Sequence, residues 1–477
     1  MNNTPESLTK IIATMGPACS SKEVLRAMIK EGVDVYRLNF SHGKHEDHEQ
    51  SIKLIQELNE ELGTNIAILV DLQGPKLRIG EMENNGAELA EGKEIKFVTE
   101  DIPGSGEKVY MSYAQFPKDV NEGEVVLVDD GKIKLKVLET NRKDEVRLKV
   151  LSGGILSSKK GVNLPNTQIS LPSLTDKDIR DVKFALQHDI QWVALSFVRN
   201  VADLVALREI INDSGRFVKI VAKIEKPEAI NSFDEILDET DAIMVARGDL
   251  GVETPFDKVP VLQKTLVRKC IAKEKPVIIA TQMMEGMITS MMPTRAEATD
   301  VSNAVLDGAD AVMLSGETSV GKYPVQTIQN MQKVISATEE SGFFLRHDHS
   351  PDRSSESYLT ESVCYNASKI ADEIDAAGIV VFTFMGGTTI RISSFRPKSH
   401  IFAFTSDENI SKQLSLVRGV ESFQIDDDIN INKAIDIAIY ILKANSRIKT
   451  GDKLVFVVGI PMSKREAVNT IHVSEIN

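Results

Sequence analysis

Eight short apolar runs recur along the N-terminal part of the chain: Lys10–Thr14, Val33–Ser41, Ile66–Leu72, Ile190–Phe197, Phe217–Glu225, Asp241–Gly248, Pro276–Gln282 and Ala309–Gly316. Between most of them lies a stretch with helical spacing. Val259, Leu262, Leu266 and Cys270 recur at three- and four-residue steps. Thr294 followed by Glu297, and more weakly Thr175 followed by Asp178, are helix-start signals. Alternating strand and helix implies parallel pairing, because each crossover carries the chain back to the start of the next strand. Eight such units fit an α/β chain folded as a (β/α)8 TIM barrel, whose reactive groups gather where the strands end. An open doubly wound sheet is the alternative.

The alternation breaks after the third run. From about residue 80 to 161 no long helical period appears. Short alternating segments such as Glu124–Val128, Lys132–Leu138 and Val146–Leu151 replace it, and Asp129-Asp130-Gly131 is a hairpin-turn signal. This reads as a small all-β domain, residues 74–166, inserted between barrel parts 1–73 and 167–345, where it overhangs the strand ends as a lid. His347 to Ser355 reads as a polar linker. Residues 355–477 form a separate C-terminal α/β domain, with strands near Ile379–Phe384, Ile401–Phe404 and Leu454–Gly459.

Composition narrows the function. A net charge of −14 disfavours non-specific nucleic-acid binding, which depends on neutralising phosphates, yet permits a local cationic pocket. Cys19, Cys270 and Cys364 lie far apart with no CxxC pair, so no disulfide framework or structural zinc site follows and a reducing compartment fits. No basic-then-apolar leader or membrane-length apolar run is present. The expectation is a cytoplasmic protein without nucleic-acid or membrane partners.

The strand ends carry the chemistry. Period-two geometry puts Val33, Val35, Arg37, Asn39 and Ser41 on one face, apolar below and polar above. Lys223 and Glu225 share a face, while Ile220, Ala222 and Ile224 point toward helices. The next run ends Ala246-Arg247-Gly248-Asp249, another ends Thr281-Gln282, and the third ends at Asp71. Glu225 and Asp249 thus converge on Lys223 and at least one arginine. Two oxygen ligands with open positions suit Mg²⁺, which keeps waters and takes its other ligands from phosphates. Arg37 and Lys223 supply positive charge for an anionic group in transfer. Together these are the ingredients of phosphoryl transfer.

Blander readings exist for each residue. A Lys-x-Glu on an isolated strand is ordinarily a surface ion pair; here the strand is flanked by apolar positions, and four other strand ends carry matching polar groups. Arg37 alone fits a structural salt bridge as well as a phosphate contact, Thr281 is an ordinary strand residue, and Asp71 could cap the turn before Gly74-Pro75. Gly316 to Lys322 has the spacing of a phosphate-binding Walker loop, but Tyr323 stands where Ser or Thr is required. The methionines between Met283 and Met287 read as packing residues.

These segments, in this order, resemble the pyruvate kinase family over almost the whole chain. The matching stretches are Thr9–Ala18, Arg37–Gly43, Asp71–Arg78, Ser158–Pro165, Ile220–Pro227, Met244–Gly251, Ala280–Glu285 and Pro293 to Thr318. The resemblance implies a TIM barrel, an inserted small β-barrel domain and a C-terminal effector and oligomerisation domain. It implies transfer of phosphate from phosphoenolpyruvate to ADP, giving pyruvate and ATP, with Mg²⁺ as cofactor, and a homotetramer. By that resemblance Glu225 and Asp249 are Mg²⁺ ligands, Lys223 stabilises the moving phosphoryl group and Arg37 contacts phosphate. Gly248, Asp249 and Thr281, with Ala246 and Arg247 beside them, form the substrate-carboxylate region. Arg78 and Lys160 contact nucleotide phosphates, and Asn39, Phe40, Ser41 and His42 border the nucleotide. Asn39, Ser41, Asp71 and the Leu72 carbonyl match the monovalent-cation site.

Two departures matter. In the family, glutamate at the place of Lys76 goes with K⁺ dependence and lysine with independence, so K⁺ is expected to be dispensable. The effector loop reads Phe382-Thr-Phe-Met-Gly-Gly-Thr-Thr389, followed late by Pro461-Met-Ser-Lys-Arg465, in place of the usual Ser/Thr/Lys/Arg-rich turn. Thr383, Thr388 and Thr389 before a helix remain for a phosphorylated effector. The competing enzyme class is a metal-dependent lyase, which has no use for Arg78 and Lys160. A non-catalytic paralogue would have lost Lys223, Glu225 or Asp249.

Overall fold

The computed structural model describes residues 7–343, 350–426, 430–461 and 468–477. Each of the eight apolar runs contains a strand: β1 Lys10–Thr14, β2 Val35–Asn39, β3 Ala67–Asp71, β4 Trp192–Leu195, β5 Lys219–Ile224, β6 Ala242–Ala246, β7 Val277–Ala280 and β8 Ala311–Leu314. All neighbours pair in parallel, and the sheet closes through β1 with β2 and β1 with β8. Closure decides for the barrel over the open sheet. Period-two alternation sorts the side chains into two cores. Val35, Leu69, Trp192, Val221, Met244 and Ile278 fill the barrel interior, while Tyr36, Val70, Ile220, Ala222 and Ile224 pack under the helices. Val33 departs from the expected inner stripe. The strand begins only at Val35, so Val33 joins the helix-side core. Ser41 likewise lies past the strand end, in a turn.

The helix-start signals hold. Thr175–Asp178 and Thr294–Glu297 are both reciprocal capping boxes, heading helices Asp176–Ala185 and Arg295–Leu306.

Between β3 and the helix Asp176–Ala185, the chain forms a six-stranded sheet and a two-stranded sheet around their own core. The hairpin Val125–Val128 to Ile133–Thr140 turns through Asp129, Asp130 and Gly131, all at positive φ. The six-stranded sheet is not itself closed. Single-residue bridges from Arg78 to Gly161 and from Ile79 to Met111 tie its two edges together, which gives it a barrel-like form.

The C-terminal sheet has five strands in the order Val420–Gln424, His400–Thr405, Gly378–Phe382, Lys453–Val458, Thr470–Glu475, the last one antiparallel. The two flanking strands escape the sequence reading because edge strands alternate or stay exposed and lack a continuous apolar run. Leu416, from this C-terminal region, is fully buried in the interior cluster of the barrel beside Trp192. It plugs the end of the barrel opposite the strand C-termini. Part of the expected linker, His347 to His349, lies outside the described residues.

Trp192 is the single tryptophan and shares that cluster, so its fluorescence reports on the plug. Leu416→Ala is expected to cost about 2–5 kcal/mol, read by chemical denaturation followed at Trp192; an unchanged midpoint would refute the plug.

Candidate active site

The barrel mouth is polar because the last inward-facing strand positions no longer have core above them. Asp71, ending β3, is its hub. It is almost fully buried and accepts from Arg37 Nε at 2.6 Å and from Lys223 Nζ at 3.1 Å. Lys223 also donates to Ser196 Oγ at 2.7 Å and lies 3.1 Å from Glu225 Oε1. Ser196 donates its own proton to the Leu72 carbonyl at 2.7 Å. Glu225 Oε2 accepts from the Phe197 N–H at 2.7 Å. On the other side, Arg37 Nη1 donates to Thr14 Oγ1 at 3.0 Å, and that hydroxyl donates to the Leu314 carbonyl at 2.7 Å. Residues far apart in sequence are thus held in one network by six strand ends.

Burial alone would raise the Asp71 carboxyl; Lys223 and Arg37 outweigh it and hold the group below the usual carboxylate range. Burial likewise opposes the Lys223 ammonium, yet Asp71 and Glu225 keep it above the ordinary lysine range. Glu225 differs. Burial raises it, Lys223 pulls it down, and facing Asp249 raises it again, for a net rise. The Asp249 residue is half-buried, and its carboxylate makes no hydrogen bond or salt bridge with another described residue. Two carboxylates in mutual repulsion, one without a partner, are short of positive charge. Among the described residues no group of three or more His, Cys, Asp or Glu could hold a metal. Two carboxylates with open positions fit an ion that takes its other oxygens from water and substrate, as Mg²⁺ does.

Gly248 and Asp249 open the helix Arg247–Glu253, directly after Ala246 ends β6. The Gly248 N–H donates to Thr281 Oγ1 at 2.7 Å, and that hydroxyl donates to the Ala280 carbonyl at 2.6 Å. Thr281 sits at φ +70°, an outlying conformation for a β-branched residue. Arg247 holds the strained turn in place: its guanidinium pairs with both Asp300 oxygens at 2.7 Å and donates to the Thr281 carbonyl at 2.8 Å. A Cβ on Gly248 would lie 3.3 Å from Thr281 Oγ1, so this approach favours glycine.

The other expected residues fall around this centre. Asn39 is in register with Asp71, and its Oδ1 accepts the Ser41 N–H at 3.1 Å. The Phe40 ring stacks on His48. Burial, then Lys76, Arg78, Arg37 and Lys177, lower the His42 pKa, so these cations share one neighbourhood. Each of the four expected monovalent-cation positions, Asn39, Ser41, Asp71 and the Leu72 carbonyl, already takes part in a protein hydrogen bond. Lys76 is exposed. Arg78 and Lys160, distant in sequence, become neighbours through the Arg78–Gly161 bridge and the Ile79 N–H to Lys160 carbonyl bond at 3.0 Å. Lys160 pairs with Asp129 at 2.8 Å. A cleft between inserted domain and barrel is lined by Lys76, Asp130, Phe197, Lys226, Asp249 and Glu253.

The Walker-like segment has a structural use. The Thr318 hydroxyl donates to the Thr14 carbonyl at 2.9 Å, and Glu317 accepts from the N–H groups of Ser315 and Met284. Met283, Met284 and Met287 are fully buried. In the C-terminal sheet Thr383 Oγ1 accepts the Gly386 N–H at 3.0 Å, Thr388 is half-buried and Thr389 fully buried. Met462–Arg465 lies outside the described residues. Sequence reasoning misses Ser196, Phe197 and Thr14. The same strand-end rule, applied to the first and fourth runs, would find Thr14 and Ser196. Phe197 acts through its backbone at φ +55° and leaves no such signal.

Asp71→Asn leaves two buried cations short of an anion and is expected to cost about 3–5 kcal/mol of stability. Because the Asp71 carboxyl is held low, the wild-type advantage is full above its ordinary pKa of 3.8 and fades as pH falls below it. Denaturation of both proteins across acid pH checks this; a difference that grows on acidification would contradict it.

Comparisons with known proteins agree with this architecture. The model of the pyruvate kinase barrel domain matches residues 6–328, and that of the pyruvate kinase alpha/beta domain matches residues 361–474. Pyruvate kinase of Corynebacterium efficiens is 40% identical over 471 residues, covering 98% of each chain. Pyruvate kinase of Thermococcus litoralis is 39% identical, covering 99% of each. The crystal structure of a pyruvate kinase from Cryptosporidium parvum superimposes with a TM-score of 0.90 at 35% identity, covering 99% of this chain and 97% of that one. With this barrel, this inserted domain and matches of that extent, the chain belongs to the pyruvate kinase family of phosphotransferases.

Proposed function

We propose that this chain transfers the phosphoryl group of phosphoenolpyruvate to ADP, giving pyruvate and ATP, the last step of glycolysis, with Mg²⁺ as its divalent ion. The observation that carries this reading is the buried Lys223 ammonium between Asp71 and Glu225, beside the unpartnered Asp249. Glu225 and Asp249 would hold the ion, which supplies positive charge to phosphate oxygens when bound. Lys223 and Arg37 stabilise charge on the PO₃ group as its bond to the enol oxygen breaks and its bond to the ADP oxygen forms. Arg37 uses Nε and Nη1 within the protein, and Nη2 remains for phosphate. Ala246, Gly248 and Thr281 shape the substrate-carboxylate end. The enolate must take a proton at carbon. The Thr281 proton is committed to Ala280, which favours a role in ordering water over one as the acid.

Arg78 and Lys160 contact the nucleotide phosphates from the inserted domain, with Asn39 to His42 below. Closure of that domain excludes water and suppresses hydrolysis. The division into 1–73, 74–166, 167–345 and 355–477, a cytoplasmic location, a homotetramer and a phosphorylated effector at Thr383, Thr388 and Thr389 belong to the same reading. K⁺ is dispensable in it, because the Lys76 ammonium supplies charge near the phosphates.

A coupled assay should detect pyruvate from phosphoenolpyruvate and ADP only when Mg²⁺ is present. Lys223→Met should bind phosphoenolpyruvate yet lose on the order of 10²–10³-fold in kcat, the scale of one transition-state charge contact; unchanged turnover would remove its role. In strictly K⁺-free buffer the wild type should keep its rate, and a collapse of turnover would refute the part given to Lys76.

A further inference from the structure

Lys226 and Glu253 form an ion pair at 2.8 Å whose side chains are only 6% and 1% exposed, and no step of the reaction above uses it. Its position in the chain suggests why it exists. Lys226 is bonded directly to Glu225. Glu253 stands four residues after Asp249 on the helix Arg247–Glu253, and such positions share a helix face. The pair therefore ties the segment carrying one ion ligand to the helix carrying the other. Asn163 adds a third attachment, donating Nδ2 to the same Glu253 Oε1 at 2.9 Å. Asn163 belongs to the inserted domain, where it is in register with Leu127.

The pair is a costly way to achieve cohesion alone. Glu253 Oε2 is buried with no partner among the described residues. Apolar residues would pack this place without burying two charges, so the pair is better explained by the geometry it fixes. Asn163, Lys226, Asp249 and Glu253 line a single cleft, which places the tie beside the site it would shape.

We propose that Lys226 and Glu253 are positioning residues that set the spacing of Glu225 and Asp249 for the divalent ion, and that Asn163 links this spacing to the inserted domain. The proposal rests on Glu225 and Asp249 being the ion's ligands, and its test separates the two. Mn²⁺ alone is titrated into the substrate-free full chain, and free Mn²⁺ is read from its paramagnetic resonance signal. Glu253→Gln is expected to weaken Mn²⁺ binding on the order of 10-fold or more, the scale for groups that orient ligands. Lys226→Arg, which keeps the charge, should recover most of the affinity that Lys226→Met loses. In turnover assays the half-saturating Mg²⁺ concentration should rise, with KM for phosphoenolpyruvate unchanged at saturating Mg²⁺. Asn163→Ala leaves the buried pair intact, so it tests the proposal even where loss of a buried charge prevents folding; it should weaken Mn²⁺ in the same direction by a smaller factor. If folded Asn163→Ala and Glu253→Gln bind Mn²⁺ like the wild type while Glu225→Gln does not, the positioning role is overturned and the ligand assignment stands. If Glu225→Gln itself binds like the wild type, the ligand assignment falls, and the proposal with it.

Discussion

A buried carboxylate between two buried cations holds this site together. If Asp71 loses its charge, Arg37 loses its carboxylate partner and Lys223 keeps only Glu225, and if either cation leaves, Asp71 keeps a single buried counter-charge. With Glu225 added, the four groups balance at two charges of each sign, which is what a low-dielectric barrel mouth tolerates. Asp249 then tips the balance toward negative. In the proposed reading, that excess would favour a divalent ion, and the ion's charge would offset that of an anionic substrate.

The fold's complexity serves to immobilise these groups. Ser196 and Thr14 each use a hydroxyl to anchor a cation to a backbone carbonyl, which fixes the orientation of Lys223 and Arg37. Strain concentrates at the same place. Phe197 and Thr281 occupy positive φ, one to aim an N–H at Glu225, the other to hold a hydroxyl against Gly248. Rigid strands carry that strain because Arg247 and Asp300 brace the turn from outside. The opposite end of the barrel is closed by Leu416, so the C-terminal region is part of the barrel's packing as well as a neighbour to it.

Much of this is legible in the amino-acid sequence because parallel strands buried on both faces read as short apolar runs with little ambiguity. Polar residues at the ends of such runs stand out for the same reason, which is what groups Arg37, Asp71, Lys223, Glu225 and Asp249. Backbone roles stay hidden, since the Phe197 N–H has no side-chain signature. So do Lys226 and Glu253, whose meeting depends on a helix turning back toward the strand end. Val33 is misplaced when alternation is extended two residues before the strand begins. The edge strands Val420–Gln424 and Thr470–Glu475 are missed because half-exposed strands carry a weak pattern.

The ion's location is the most direct test of the account. A crystal of the full chain grown with Mn²⁺ and phosphoenolpyruvate gives an anomalous signal that places the metal independently of any model of the protein. The account requires that peak at about 2.1 Å from carboxylate oxygens of Glu225 and Asp249, with the substrate phosphate reaching toward Lys223. A peak beside Asn39 and Ser41 instead, or one contacting neither acidic group, would contradict it.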